Sequence, residues 1–355
     1  MVDQGEVRKA LSKVMDPELG RSLEELGMIK EVKVDGGKVE VTVALTTPSC
    51  PLRGGIEADV KQAVAAVPGV EDVQVRMGQL SPEELAKISG GPGAEGGPTQ
   101  AQQLSHIGVV VAVMSGKGGV GKSMVTSMLA VSLAREGKKV GILDADITGP
   151  SIPRMFGLKG QADASEFGII PVATPDLGIQ VMSINLLLGQ EDLPVIWRGP
   201  LISGAIRQFW TDVVWGDLDV LLVDLPPGTS DAPLTVMQAL PLSGAVVVST
   251  PQDLAGMVVR KAVKMANQLG IPILGVVENM SYFACPESGK RHEVFGPSRG
   301  EELARAADAP LLARLPIDPQ LARLSDAGRI EDYRSDDFVA MARTMLEGIK
   351  KGAGV

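Results

Sequence analysis

Hydrophobic positions along the chain fall into two regimes. In residues 1–89 they are spaced for a small mixed domain: Val7, Leu11 and Val14 recur three to four apart and predict a helix, while "MIKEVKVDGGKVEVTVAL" alternates about a Gly-Gly turn as a β-hairpin. Ile56, Val60 and Val64 mark a second helix, and "VEDVQVRM" a third strand. From residue 106 the pattern changes. "IGVVVAV", "VGIL", "VLLV", "GAVVVS", "ILGVV" and "PLLARL" are short runs rich in β-branched residues, separated by helical stretches. Strands buried on both faces of a parallel sheet read this way. The expected fold class is therefore α/β: a doubly wound, mostly parallel sheet preceded by a small α/β domain. Between the regimes "GGPGAEGGPTQAQQ" loses all apolar periodicity to Gly and Pro, as a linker does. The expected organisation is a first domain over 1–89, a linker over 90–105 and a second domain over 106–355.

Composition agrees with two buried cores and narrows the partners. The 355 residues are 45% hydrophobic, and the net charge of -9 leaves no domain-wide positive field to hold a phosphodiester backbone. Nucleic acid is excluded as a first expectation. The N-terminus is charged and amphipathic, and no run approaches the roughly 18 apolar residues of a membrane span, so a cytoplasmic protein without membrane attachment is expected. The last amphipathic stretch, with Phe338, Met341, Met345 and Ile349 at helical spacing, has little basic charge opposite its apolar stripe and should pack on the sheet. Two cysteines, Cys50 and Cys285, cannot form a disulfide framework and must be judged by neighbourhood.

The first strand of the second domain runs into "SGKGGVGKS", residues 115–123, and a helix is expected from about Lys122 to Arg135. This is the G-x-x-x-x-G-K-[ST] phosphate loop in its strand-loop-helix context. Gly116, Gly118, Gly119 and Gly121 allow backbone N–H groups, with that of Val120, to converge on phosphate oxygens that side chains would otherwise block. Lys122 is placed for the β- and γ-phosphates, and the Ser123 hydroxyl for Mg²⁺. Two acidic sites fall at strand ends, where an open α/β sheet puts its ligands: Asp224 in "VLLVDLPPG", suited to hold magnesium, and Asp144 and Asp146 in "ILDADITGP", either able to orient an attacking water. Gly228 is positioned to offer an N–H to the γ-phosphate.

The extra Lys117 in K-G-G-V-G-K-S resembles the signature-lysine loop of the superfamily that includes ParA, MinD and the nitrogenase iron protein, whose lysine reaches a partner's nucleotide. That resemblance implies a homodimer. "LDADITGPSIPRM", "WRGP", "LLVDLPPGTSD", "STPQ" and "VENMSYF" together resemble the Mrp family of ATP-binding iron-sulfur cluster carriers over the whole second domain. "DPELGRSLEELGMI" and "TTPSCPL" resemble the small metal-sulfur cluster assembly domain often fused to it. The resemblance implies ATP and Mg²⁺, catalytic roles for Lys117, Lys122 and Asp146, and a nucleobase contact from Asn279, with "PIDP" at 316–319 against the adenine. Its implied partners are apoprotein clients and iron-sulfur assembly factors. Met124 stands where the family commonly has Thr, which removes one hydroxyl hydrogen bond worth about 1 kcal/mol.

"FACPESGKRHEVFG" departs further. Cluster-assembling relatives resemble "NMSYFxCPxC", two cysteines per subunit for a bridging [4Fe-4S] cluster, whereas here Ser288 occupies the second position. A hydroxyl is a harder, far less acidic ligand than a thiol. Three completions stay open: Cys50, expected near a helix N-terminus that favours a thiolate; Glu287, His292 or a small thiol; or a loosely held cluster. The expected function is a slow ATPase that carries and transfers iron-sulfur clusters. The alternatives are a cluster-free ATPase acting as a partner-docking factor, or a ParA- or MinD-like positioning ATPase. The second of these needs a basic surface, which the acidic composition disfavours.

Overall fold

The computed structural model describes residues 2–16, 22–45, 53–79, 99–146, 149–188, 199–229 and 231–352. The chain divides into two compact units, Met1–Gly96 and Gly97–Val355. In the first, the Gln4–Leu11 helix starts at Asp3, whose carboxylate accepts the Gly5 N–H at 3.3 Å and satisfies one of the donors a first turn leaves open. Strands β1 (Ile29–Asp35) and β2 (Lys38–Leu45) pair antiparallel, turning through Gly36 at a φ of 61°. β3 (Asp72–Gln79) lies parallel to β2, which requires a crossover, and the Arg53–Ala65 helix supplies it. Ile56, Val60 and Val64 from that helix share one core with Val7, Leu11, Val39, Val41 and Val43. Cys50 and positions 90–98 of the expected linker lie outside the described residues.

The end of the expected linker is folded. Thr99 and Gln102 form a reciprocal capping box that starts a Gln100–Gln103 helix, and Ala101 on it is buried. The T-x-x-Q spacing was the signal, masked by the polar composition around it.

The strands of the second unit are β4 (His106–Ser115), β5 (Val140–Asp144), the hairpin β6 (Asp163–Ser165) and β7 (Gly168–Ile170), β8 (Val172–Ala173), β9 (Gln180–Ser183), β10 (Asp217–Asp224), β11 (Gly244–Ser249), β12 (Ile273–Ala284), β13 (Arg291–His292) and β14 (Leu311–Pro316). Among the described residues nine of them form one sheet in the order β13-β12-β11-β4-β10-β5-β9-β8, with β14 beside β12. All neighbours pair parallel except β8 and β13, which close the sheet's edges antiparallel. Six of the parallel strands are those expected from the apolar runs; the seventh, β9, is only four residues long and too short to announce itself.

β4 shows why the sheet is buried on both faces. Val110, Ala112 and Met114 enter a core with Leu221, Phe209 and Trp215, while Val111 and Val113 enter the opposite core with Val125, Leu129 and Leu222. The C-terminal Asp336–Gly352 helix covers this second core, with Phe338, Met341 and Met345 at 2%, 0% and 0% exposure. Its apolar stripe is thus packed, as its spacing predicted. Among the described residues no helix is long and apolar enough to cross a membrane.

β12 departs from a plain strand. Its pairing with β14 steps from Glu278↔Arg314 to Tyr282↔Pro316, so Asn279, Met280 and Ser281 bulge opposite Leu315 alone. Met280 there takes a φ of 55°, a conformation that side-chain-bearing residues seldom adopt. Asn279 therefore sits within the strand, at its bulge.

Candidate functional site

The carboxyl ends of β4, β10 and β5 lie side by side, with Asp224 in register with Val113 on one neighbour and Asp144 on the other. β4 leads through Gly116–Gly121 into the Lys122–Arg135 helix. Gly119 and Gly121 have φ of 77° and 80°, and a Cβ on Gly121 would stand 2.3 Å from Asn279 Nδ2. Only glycine fits there. The loop is held by Asn279, whose Nδ2 donates to the Val120 carbonyl at 2.9 Å and whose buried Oδ1 has no hydrogen-bond partner among the described residues.

Asp224 is the hub of the site and is fully buried. Lys122 Nζ lies 2.7 Å from its Oδ2, the Ser123 hydroxyl donates to the same oxygen at 2.6 Å, and the Thr126 hydroxyl donates to Oδ1 at 2.7 Å. One charge and two hydroxyls thus satisfy a carboxylate that could not be buried alone. Thr126 was not anticipated from the sequence, although it lies four residues after Lys122 on the same helix face. Asp144, also fully buried, accepts the Asp146 N–H on Oδ1 at 3.2 Å, and on Oδ2 the Ile152 N–H at 3.3 Å and the Ser183 hydroxyl at 3.4 Å. Burial first, and then the neighbouring Asp224 charge, push its carboxyl up to about 8, against the opposing pull of Lys122. It therefore ties down both ends of the loop that begins at Asp146.

Two expectations about the phosphate contacts take a different form. The Gly228 N–H donates to the Ser115 carbonyl at 3.0 Å, joining the end of β10 to the end of β4. Lys117 Nζ donates to Gln252 Oε1, in the segment after β11, at an exposed position. Met124, in place of a hydroxyl, packs against the second core.

The structure brings Gly116–Ser123, Asp146, Asp224 and Asn279 around one loop, and places Cys285 on the β12–β13 hairpin at the exposed end of β12. The Cys285 N–H donates to the Lys290 carbonyl at 3.0 Å and the Gly289 N–H to the Cys285 carbonyl at 2.8 Å, which closes a tight turn. Within it the Ser288 hydroxyl, then the N–H groups of Ser288 and Glu287, hold the Cys285 thiol below its ordinary value. Among the described residues no group of three or more His, Cys, Asp and Glu side chains is arranged to hold a metal ion. Cys285, Glu287 and His292 therefore do not come together as a trio of ligands. Cys50 lies outside the described residues.

Glu278 was also missed. Its signal was a lone charge inside the apolar run "ILGVVENMSYF". It is fully buried and accepts the Ser281 and Ser298 hydroxyls on Oε2 at 2.5 and 2.6 Å and the Arg299 N–H on Oε1 at 2.7 Å. The Arg314 guanidinium lies 3.6 Å from Oε2.

Residues 106–349 match the family model described as ParA, the NUBPL iron-transfer P-loop NTPases, and residues 4–77 match that of an iron-sulfur cluster assembly protein. An iron-sulfur cluster carrier protein of Synechocystis is 42% identical over 332 residues, covering 92% of this chain and 91% of its own length. A protein of the same description from Deinococcus radiodurans is 43% identical over 347 residues, covering 95% and 93%. Among solved structures, a nucleotide-binding protein from Archaeoglobus fulgidus in complex with ADP is 54% identical, with a TM-score of 0.59, over 65% of this chain and 91% of that one.

Proposed function

We propose, from the premise that the chain belongs to the NUBPL iron-transfer P-loop NTPase family, that it is an ATP-hydrolysing carrier that assembles iron-sulfur clusters and passes them to apoproteins. The observation that carries the nucleotide half of this reading is the Asp224 hub, where Lys122 and Ser123 share one carboxylate oxygen beneath a glycine loop. The residues suit a magnesium nucleotide: hard oxygen donors from Ser123 and Asp224, an ammonium from Lys122, and a loop kept open at Gly121. Bound magnesium would neutralise charge on the transferring phosphoryl group.

The protein's own contribution is positional. Lys122, now on Asp224, would serve the phosphates, and the Ser123 hydroxyl and Asp224 would hold the cation. Asp146 sits on the loop that Asp144 anchors, and orients the attacking water. Asn279 fixes the loop through the Val120 carbonyl on the side assigned to the nucleobase. Lys117, free at the surface apart from Gln252, is available to a second copy, and the assembly proposed is a homodimer in the cytoplasm.

The cluster is cargo. Cys285 is the proposed ligand because its turn favours the thiolate, and Ser288 leaves the second thiolate to be supplied from elsewhere, with Cys50 the candidate. The same serine is what favours a second reading, a cluster-free ATPase that docks assembly partners. The test is anaerobic reconstitution with iron and sulfide of wild type, Cys50→Ala and Cys285→Ala, followed by transfer to an apoprotein. Visible thiolate-to-iron absorption lost in Cys285→Ala supports the carrier; no such absorption in wild type selects the second reading.

A further inference from the structure

The segment from Ser281 to Arg299 contains Cys285, and its two ends meet on one buried carboxylate. Glu278 Oε2 accepts the Ser281 hydroxyl on the way out and the Ser298 hydroxyl on the way back, and Oε1 accepts the Arg299 N–H. Arg314 on β14 reinforces the closure: its Nε donates to Ser281 Oγ at 3.2 Å, lies 3.6 Å from Glu278, and its Nη2 lies 3.7 Å from Glu293 inside the segment. The residue directly after Glu278 belongs to the other site. Asn279, next in sequence, holds the phosphate loop through Val120, and Met280 carries the positive φ that turns Asn279 and Ser281 to these separate tasks.

We propose that Glu278 is a positioning residue that makes the chemistry of the Cys285 thiol depend on occupancy of the phosphate loop. A nucleotide that shifts the loop moves the Val120 carbonyl, and Asn279 must follow, because among the described residues that carbonyl is the partner of its buried Nδ2. The backbone through Met280 is already in a sparsely populated conformation, so it transmits the displacement more readily than it absorbs it. Glu278, packed in the sheet and hydrogen-bonded at both ends of the segment, converts that displacement into a change at the base of the hairpin. The thiol's surroundings then change without any direct contact between the two sites. Such coupling is a physical claim only if both sites bias one element, and the bulge at 279–281 is that element.

This inference rests on the reading of the phosphate loop as the nucleotide site. Its test uses the full chain with Cys50→Ser, so that Cys285 is the one reacting thiol, and follows thiolate attack on 5,5′-dithiobis(2-nitrobenzoate) with and without saturating Mg-ADP. The rate should change about fivefold or more on adding Mg-ADP. Glu278→Gln and the milder Ser298→Ala should bring that ratio to near one while Mg-ADP affinity, read separately by equilibrium dialysis, stays within about twofold. Ser298→Thr, which keeps the hydroxyl, should retain the response. If Mg-ADP binds and the Cys285 rate does not respond, or if the response survives in Glu278→Gln and Ser298→Ala, the coupling is refuted while the nucleotide site stands. If Mg-ADP does not bind the parent protein, the nucleotide reading fails first.

Discussion

Asp144 and Asp224 are register partners on neighbouring strands, so two fully buried carboxyls end side by side beneath the phosphate loop with a single ammonium, Lys122, in contact with one of them. Two such groups cannot both ionise without cost, and the structure divides them. Asp224 takes Lys122 and two hydroxyls, and Asp144 takes backbone N–H groups and a raised proton affinity.

That division predicts a pH dependence. A carboxyl raised from 3.8 to about 8 binds its proton more tightly in the fold, so its stabilising contribution is complete below its unfolded value and is lost as pH climbs through about 8. In nucleotide-free protein with chelator, urea midpoints should fall for wild type between about pH 5 and about pH 8, and Asp144→Asn should flatten this trend. Parallel pH profiles for the two proteins would contradict the assignment.

Lys122→Ala removes the ammonium proposed to reach the phosphates. Phosphate release should drop by about 10²-fold or more, as when a preorganised electrostatic donor is deleted from a transition-state site. Circular dichroism checks that the protein remains folded, since Asp224 loses its charge partner as well. Activity that persists in a folded variant would remove Lys122 from the mechanism.

Ser288 lowers the Cys285 thiol through its side chain first and its N–H second. In a Cys50→Ser background, Ser288→Ala should therefore move the midpoint of the iodoacetamide pH-rate profile upward, toward an ordinary thiol, and slow alkylation at neutral pH. Ser288→Cys makes the opposite kind of change, adding a second soft ligand to the same turn. Reconstitution of that variant should give more thiolate-to-iron absorption per chain than wild type, with iron and sulfide assays as the check.

Phe338, on the C-terminal helix, is among the largest fully buried side chains and faces the second core. Phe338→Ala should cost about 3–5 kcal/mol in denaturant unfolding of the second unit. A loss below about 1 kcal/mol would mean that the helix does not cover the sheet as described.

The sheet was legible because most of its strands carry short apolar runs, many of them β-branched, and the Lys122–Arg135 helix because a glycine loop announces its start. The carboxylates at Asp224, Asp144 and Asp146 stood out for the same reason: charge at the end of an apolar run. What escaped was side-chain pairing across distant segments. Thr126 looks like an ordinary helix residue until β10 delivers Asp224 to it, and Gln252 acquires meaning only once β11 lies beside β4. Glu278 was missed although it is a charge in an apolar strand, because its partners Ser281, Ser298 and Arg314 come from both sides of a hairpin that periodicity does not pair. β13, at two residues, is shorter than any pattern can mark.

β12 spans twelve residues, and its length has a consequence for how the molecule breathes. Val276 and Val277 are clamped between two parallel neighbours in the middle of a buried sheet, whereas Ala284 is exposed and pairs only with β13. Amide hydrogens along this one strand should exchange on a graded scale, from rates set by global unfolding at Val276 to rates set by local fraying at Ala284. The chain thus places the Cys285 thiol just past the end of β12 expected to exchange fastest, and the Asn279 contact to the phosphate loop farther inside the same strand.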